Sequence, residues 1–166
     1  AGMIAKSPGM LRLFADIEKS FGRSLPLATL FQAPTVARLA AKLREEGWAA
    51  PWSSLVLIQR GARERPPFFC IPGVGGNILG LYDLARHLGP DQPVYGLQAR
   101  GLDGQAEPLT RIQDIAAHHI EEIRAVLPNG PFFLGGLSWG GSVAFEMAHQ
   151  LDLAGDRVAL VALFDA

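Results

Sequence analysis

The chain has 166 residues, 49% of them hydrophobic and 19% charged, and a net charge of −1. That is enough chain for one buried core plus a small appendage. The near-neutral balance, with no basic stripe, argues against a nucleic-acid partner, and no apolar run approaches a membrane span or opens the chain as a signal peptide.

Residues 1–10 carry no pattern, and Pro8 and Gly9 disfavour a helix there. From Met10 a helix is legible. Met10, Leu13, Phe14, Ile17 and Phe21 form one stripe, and Gly22 ends it. Residues 25–31 read as a short apolar turn. A further helix follows Pro34 and Thr35, with Val36, Leu39, Ala40 and Leu43 inward and Lys42, Arg44, Glu45 and Glu46 outward. These helices are too few to close a core alone.

Phe14-Ala15-Asp16-Ile17-Glu18, Phe21-Gly22, Leu25-Pro26-Leu27, Leu30-Phe31 and Ala33-Pro34-Thr35-Val36 resemble the second half of a peptidyl or acyl carrier domain from nonribosomal peptide or polyketide synthetases. In that family a serine in a G-G-x-S-L motif carries 4′-phosphopantetheine, at the start of the helix leading into this pattern. Ser7 stands at about that distance, so the resemblance makes it the candidate attachment site. Its neighbours Ile4-Ala5-Lys6 and Pro8 depart from the motif, and no segment matches the family's first helix. A serine in an unstructured tail is the alternative. The carrier-like segment is taken as residues 1–46.

Residues 47–54, Gly-Trp-Ala-Ala-Pro-Trp-Ser-Ser, read as a linker. The pattern then changes to alternating strands and helices over residues 55–166. Strands are expected at 55–59, 67–71, 94–98 and 158–164, with a further strand from Phe132. Cys70, the only cysteine, lies in the second of these, in Phe68-Phe69-Cys70-Ile71. A buried, inert thiol with no internal disulfide fits a reducing cytoplasm. Ile78, Leu81, Ala85 and Leu88 mark a helix between the second and third strands. Thr110 is read as the cap of a long helix whose inner stripe is Ile112, Ile115, Ala116, Ile123 and Val126. Such alternation with short connections predicts an α/β fold: a mostly parallel sheet with helices on both faces.

The rest of the chain is organised around residues 131–151. Phe132-Phe133-Leu134 reads as a buried strand, and Val143, Ala144, Met147, Ala148 and Leu151 mark one face of a helix. Gly136-Leu137-Ser138-Trp139-Gly140 lies between them, a G-x-S-x-G pattern at a strand-to-helix junction. A serine attacks well when a sharp turn projects its hydroxyl clear of its neighbours, and the flanking glycines remove side chains that would collide. The helix that follows points its first free N–H groups at the same place. The plain alternative is a glycine-rich loop with a capping serine.

Ligands of an open parallel sheet bind beyond the carboxyl ends of its strands. Three features are expected at that edge: Ser138, Asp165 and the loop Pro72-Gly73-Val74-Gly75-Gly76. The loop fails the dinucleotide and phosphate-loop patterns. It suits an oxyanion hole, with one backbone N–H near Val74 and a second from Trp139. A glycine-rich packing turn is the alternative. Asp165, at the end of the last strand, could orient a histidine or merely cap a turn. His149 lies roughly 16 Å along its helix from Ser138, and His87 is similarly remote. His118 and His119 are in mid-helix, His119 near the inner stripe. None is placed to take the serine's proton.

Phe69-Cys70-Ile71-Pro72-Gly73, Val94-Tyr95-Gly96-Leu97-Gln98, Gly135-Gly136-Leu137-Ser138-Trp139-Gly140-Gly141, Ala144-Phe145-Glu146-Met147-Ala148 and Leu163-Phe164-Asp165 together resemble a type I thioesterase domain of such synthetases. The resemblance implies a partial α/β-hydrolase fold with Ser138 as nucleophile and Asp165 as catalytic aspartate. It also implies lid helices and a catalytic histidine beyond residue 166. The substrate would be an acyl or peptidyl thioester on the phosphopantetheine of a carrier domain, supplied by upstream synthetase modules and released by hydrolysis or cyclisation, with no metal required. A stand-alone serine esterase or lipase, and an inactive carrier-docking fragment, are the alternatives.

Overall fold

A computed structural model of the chain describes residues 10–23, 25, 29–45, 52–102 and 106–165. The chain divides into two compact units, residues 1–52 and 53–166. Ser7 and residues 47–51 of the expected linker lie outside the described residues.

In the first unit, α1 spans Met10–Phe21, α2 is the single turn Thr29–Gln32 and α3 spans Val36–Arg44. Gly22 ends α1 in the left-handed region, at φ 61°, where a residue without a Cβ meets least resistance. Phe14, Ile17, Leu30, Ala33 and Leu39 are buried. The Arg38 N–H donates to the Thr35 hydroxyl at 3.3 Å, so Thr35 caps α3. Phe21 and Val36, expected on the inner stripes, are 63% and 67% exposed. Each sits at the end of its helix, where the stripe has run past its neighbours.

The second unit is built on a five-stranded sheet: β1 (Leu55–Gln59), β2 (Phe68–Ile71), β3 (Val94–Leu97), β4 (Phe132–Leu137) and β5 (Val158–Phe164). Their order across the sheet is β1-β3-β2-β4-β5. All neighbours run parallel except β1, which pairs antiparallel with β3. Between β2 and β3 the expected single helix begins as a 3₁₀ turn, Ile78–Gly80, and continues as α4, Leu81–His87. The Leu79 N–H donates to the Asn77 side-chain oxygen at 2.8 Å, which starts that turn.

The two long helices are α5 (Ile112–Arg124) and α6 (Trp139–Leu153). Thr110 does not cap α5: the N-cap position is Arg111, with no side-chain cap bond. Val126 falls past the last turn of α5 and is 39% exposed. The remainder of the stripe packs as expected. Ala116, Ile120 and Ile123 of α5 and Val143, Ala144, Met147 and Leu151 of α6 close on Phe69, Ile71, Leu97, Phe132 and Leu134 of the sheet. Alternation along the strands turns Phe68 and Cys70 to the opposite face. Burial pushes the Cys70 thiol up to about 12.

Candidate active site

The site begins with backbone geometry. Ser138 follows the last residue of β4 and occupies the N-cap of α6 at φ 50°, ψ −123°. Asp165 follows the last residue of β5 and also has φ 50°. They are the two non-glycine residues with positive φ among the described residues. Each such conformation costs about 1–3 kcal/mol and persists only where surrounding structure enforces it. The enforcement at Ser138 is visible. Its N–H donates to the Phe164 carbonyl oxygen at 2.8 Å, and its own carbonyl accepts from the Gly141 N–H at 2.8 Å. The first of these bonds ties the tip of β4 to the residue preceding Asp165. The parallel register pairs Leu137 with Phe164. Ser138 and Asp165 therefore leave neighbouring strand tips side by side, and both are exposed.

The glycines of G-x-S-x-G have a geometric reason. A Cβ on Gly136 would lie within 3.0 Å of backbone atoms of Gly140 and Gly141. A Cβ on Gly140 would fall within 3.0 Å of the Pro72 and Ile71 carbonyl oxygens. The turn thus lets α6 press against β4 on one side and against the end of β2 on the other.

That second contact brings the loop after β2 to the serine. A Cβ on Gly73 would lie 3.5 Å from the Ser138 Cβ and 3.4 Å from the Leu137 carbonyl oxygen. Val74, next along, is 89% exposed. Among the described residues, the backbone N–H groups of Val74 and Trp139 have no hydrogen-bond partner. They are the two amides expected to serve an oxyanion. The structure therefore brings Ser138, Asp165, Val74 and Trp139 to one edge of the sheet.

Behind loop 72–76 lies a cavity of about 450 Å³, with Gly73, Val74 and Trp139 in its lining and Leu97, Leu109, Ile115, Val143, His118 and His119 in its walls. Ser138 is not itself a lining residue. The four histidines make no hydrogen bond to it. His87 Nδ1 pairs with the Asp83 carbonyl at 2.7 Å, and His149 is exposed on α6. His118 Nε2 pairs with the Ser54 hydroxyl at 2.9 Å. His119 is 2% exposed, and its Nδ1 has no hydrogen-bond partner. Burial, and then the neighbouring His118, hold its pKa down to about 4. The sequence placed His119 near the inner stripe but gave no sign of a cavity beside it, because the opposing wall comes from β3 and the loop after it. Among the described residues no His, Cys, Asp and Glu cluster could hold a metal ion.

Comparison with known proteins bears on this arrangement. Residues 66–166 match the family described as Thioesterase domain. The chain is 40% identical over 157 residues to malpibaldin synthetase of Mortierella alpina, covering 94% of this chain and 3% of that protein. Among solved structures, it superposes with a TM-score of 0.62 and 30% identity on a four-domain holo nonribosomal peptide synthetase bound to AMP and glycine. That match covers 92% of this chain and 12% of the other. The NocB thioesterase domain, in covalent complex with a fluorophosphonate nocardicin G analogue, matches with a TM-score of 0.54 and 30% identity. It covers 60% of this chain and 46% of that one. The chain thus spans a small part of the curated synthetase it matches.

Proposed function

This chain belongs to the thioesterase-domain family, and from that premise we propose that it contributes the nucleophile, aspartate and oxyanion hole of a synthetase's chain-releasing centre. The substrate is an acyl or peptidyl group carried as a thioester on the phosphopantetheine arm of a carrier domain. The Ser138 hydroxyl oxygen attacks the thioester carbonyl carbon, and its proton passes to a histidine supplied from outside residues 1–166. Negative charge collects on the carbonyl oxygen, where the free N–H groups of Trp139 and Val74 stabilise it. Each such donor is worth about 3–4 kcal/mol of barrier. The carbon–sulfur bond then breaks, and the imidazolium returns its proton to the departing thiolate. Asp165 orients that histidine and stabilises its charged form. In the second half, water or a nucleophile of the chain itself attacks the Ser138 ester. The same histidine removes its proton and hands it to the serine oxygen as the acyl group leaves.

One observation carries the reading: the two strained non-glycine residues, at φ 50°, stand at adjacent strand tips beside two unengaged amides. Strain of this kind collects at functional sites. The carrier-like reading of residues 1–46 is retained, with Ser7 as its candidate pantetheine site. The synthetase match over 92% of the chain, more than the thioesterase match at 66–166, supports the carrier-like segment.

The test compares release of an acyl group from a loaded carrier domain with hydrolysis of the matching oxygen ester, using the full-length protein. Faster turnover of the carrier thioester, abolished by Ser138→Ala, is expected. Undiminished turnover in Ser138→Ala, or a preference for free esters, would overturn the proposal.

A further inference from the structure

The walls of the 450 Å³ cavity are apolar apart from two imidazoles and Arg100, which is exposed. Its volume suits a small ligand or a side chain. One end reaches Val74 and Trp139, the amides assigned above to the oxyanion. A group bound as an acyl chain at Ser138 therefore has an adjoining space to enter.

The two imidazoles differ in what they have left to offer. His118 already pairs with Ser54. His119 is buried and its Nδ1 is unpartnered. The other inward positions of α5, Ala116, Ile120 and Ile123, are aliphatic. An aliphatic residue at 119 would fit that stripe without leaving a buried polar atom unsatisfied, which is a costly arrangement. We propose that this cavity receives the acyl group of the substrate and selects chains bearing one neutral hydrogen-bonding group, such as a hydroxyl or amide, for which His119 is the partner. The inference rests on the acyl-transfer reading above.

Neutrality follows from the surroundings. A desolvated imidazole held uncharged at pH 7 by burial and by His118 carries one donor and one acceptor nitrogen, so whichever nitrogen meets a bound group meets it without charge. That matches a hydroxyl. An ammonium entering the same walls would lose its hydration with no negative charge to replace it, and a carboxylate brought to His119 would meet a neutral ring there, since the one full charge in the lining is the exposed Arg100.

The test uses the full-length protein and N-acetylcysteamine thioesters of equal chain length whose acyl groups end in methyl, hydroxyl or carboxylate. The expected result is a kcat/KM for the hydroxylated chain at least about tenfold above the methyl chain. His119→Phe brings that ratio to about one, and His119→Gln, which keeps a neutral donor and acceptor, retains most of it. A wild-type ratio near one overturns the proposal whether or not either variant folds. So does a ratio unchanged in His119→Phe, or a preference for the carboxylate. Fluorophosphonate labelling of Ser138 separates the two layers. If Ser138 is labelled and turns over thioesters without discrimination, the pocket assignment alone fails. If Ser138 is not acylated, both fail.

Discussion

Gly140→Ala puts the turn geometry to a test with a definite sign. Position 140 lies in the first turn of α6, where alanine favours a helix over glycine by about 1 kcal/mol. On propensity alone the substitution should stabilise the protein. The packing predicts the reverse. The new methyl carbon would sit 2.5 Å from the Ile71 carbonyl oxygen and closer still to that of Pro72, whereas real Cβ contacts essentially never fall below 3.0 Å. Both obstacles are backbone at the end of β2, so no side chain can rotate away. Helix and strand must part by about 0.5 Å or more, at a cost of about 1–3 kcal/mol. The displaced end of β2 leads into Gly73 and Val74, so the proposed oxyanion donor moves relative to Ser138. A misplacement of about 1 Å costs roughly 10²-fold in rate, and a shift of half that is expected to lower kcat measurably. The assay is a denaturant midpoint together with kcat on a thioester. A Gly140→Ala protein as stable as the wild type, with kcat within twofold of it, would refute this account of the glycine.

Three further outcomes follow from individual residues. His119 titrates near 6.5 in an unfolded chain and near 4 in the fold. The unfolded state therefore binds more protons between those values, and stability falls as the pH drops through that window. Between pH 7 and pH 5 the loss from this group is about 2 kcal/mol, and urea midpoints should show that part of the slope vanishing in His119→Phe. Cys70 is fully buried with its pKa pushed up to about 12. A thiol reagent at pH 8 should leave it unmodified until the protein is unfolded. Arg124 and Asp156 are paired at 2.5 Å, with side chains 44% and 21% exposed. Asp156→Ala should cost only about 0.2–1 kcal/mol by chemical denaturation, less in high salt.

What the sequence made legible is what local pattern controls. The run at 158–164 is β5 end to end, the predicted inner face of α6 packs inward, and G-x-S-x-G marks a strand-to-helix junction because two glycines there are sterically required. The strand order was not legible. Placing β3 between β1 and β2, and reversing β1 against β3, depends on pairings between distant segments. The start of α5 slipped past Thr110 because a capping residue type does not oblige the backbone to turn there. The positive φ of Asp165 left no mark in composition, since a strand-end aspartate is equally at home in a plain turn. His119 showed the same limit. Helical periodicity located it near the inner stripe, but only the packed structure reveals the cavity against it.

The most direct measurement is mass-spectrometric mapping of the full-length protein after reaction with an acyl fluorophosphonate. The expected result is a single adduct on the hydroxyl of Ser138, lost in Ser138→Ala and slowed in Asp165→Asn. An adduct on a different serine, or none at all in a protein that still releases acyl chains, would contradict the assignment of the nucleophile.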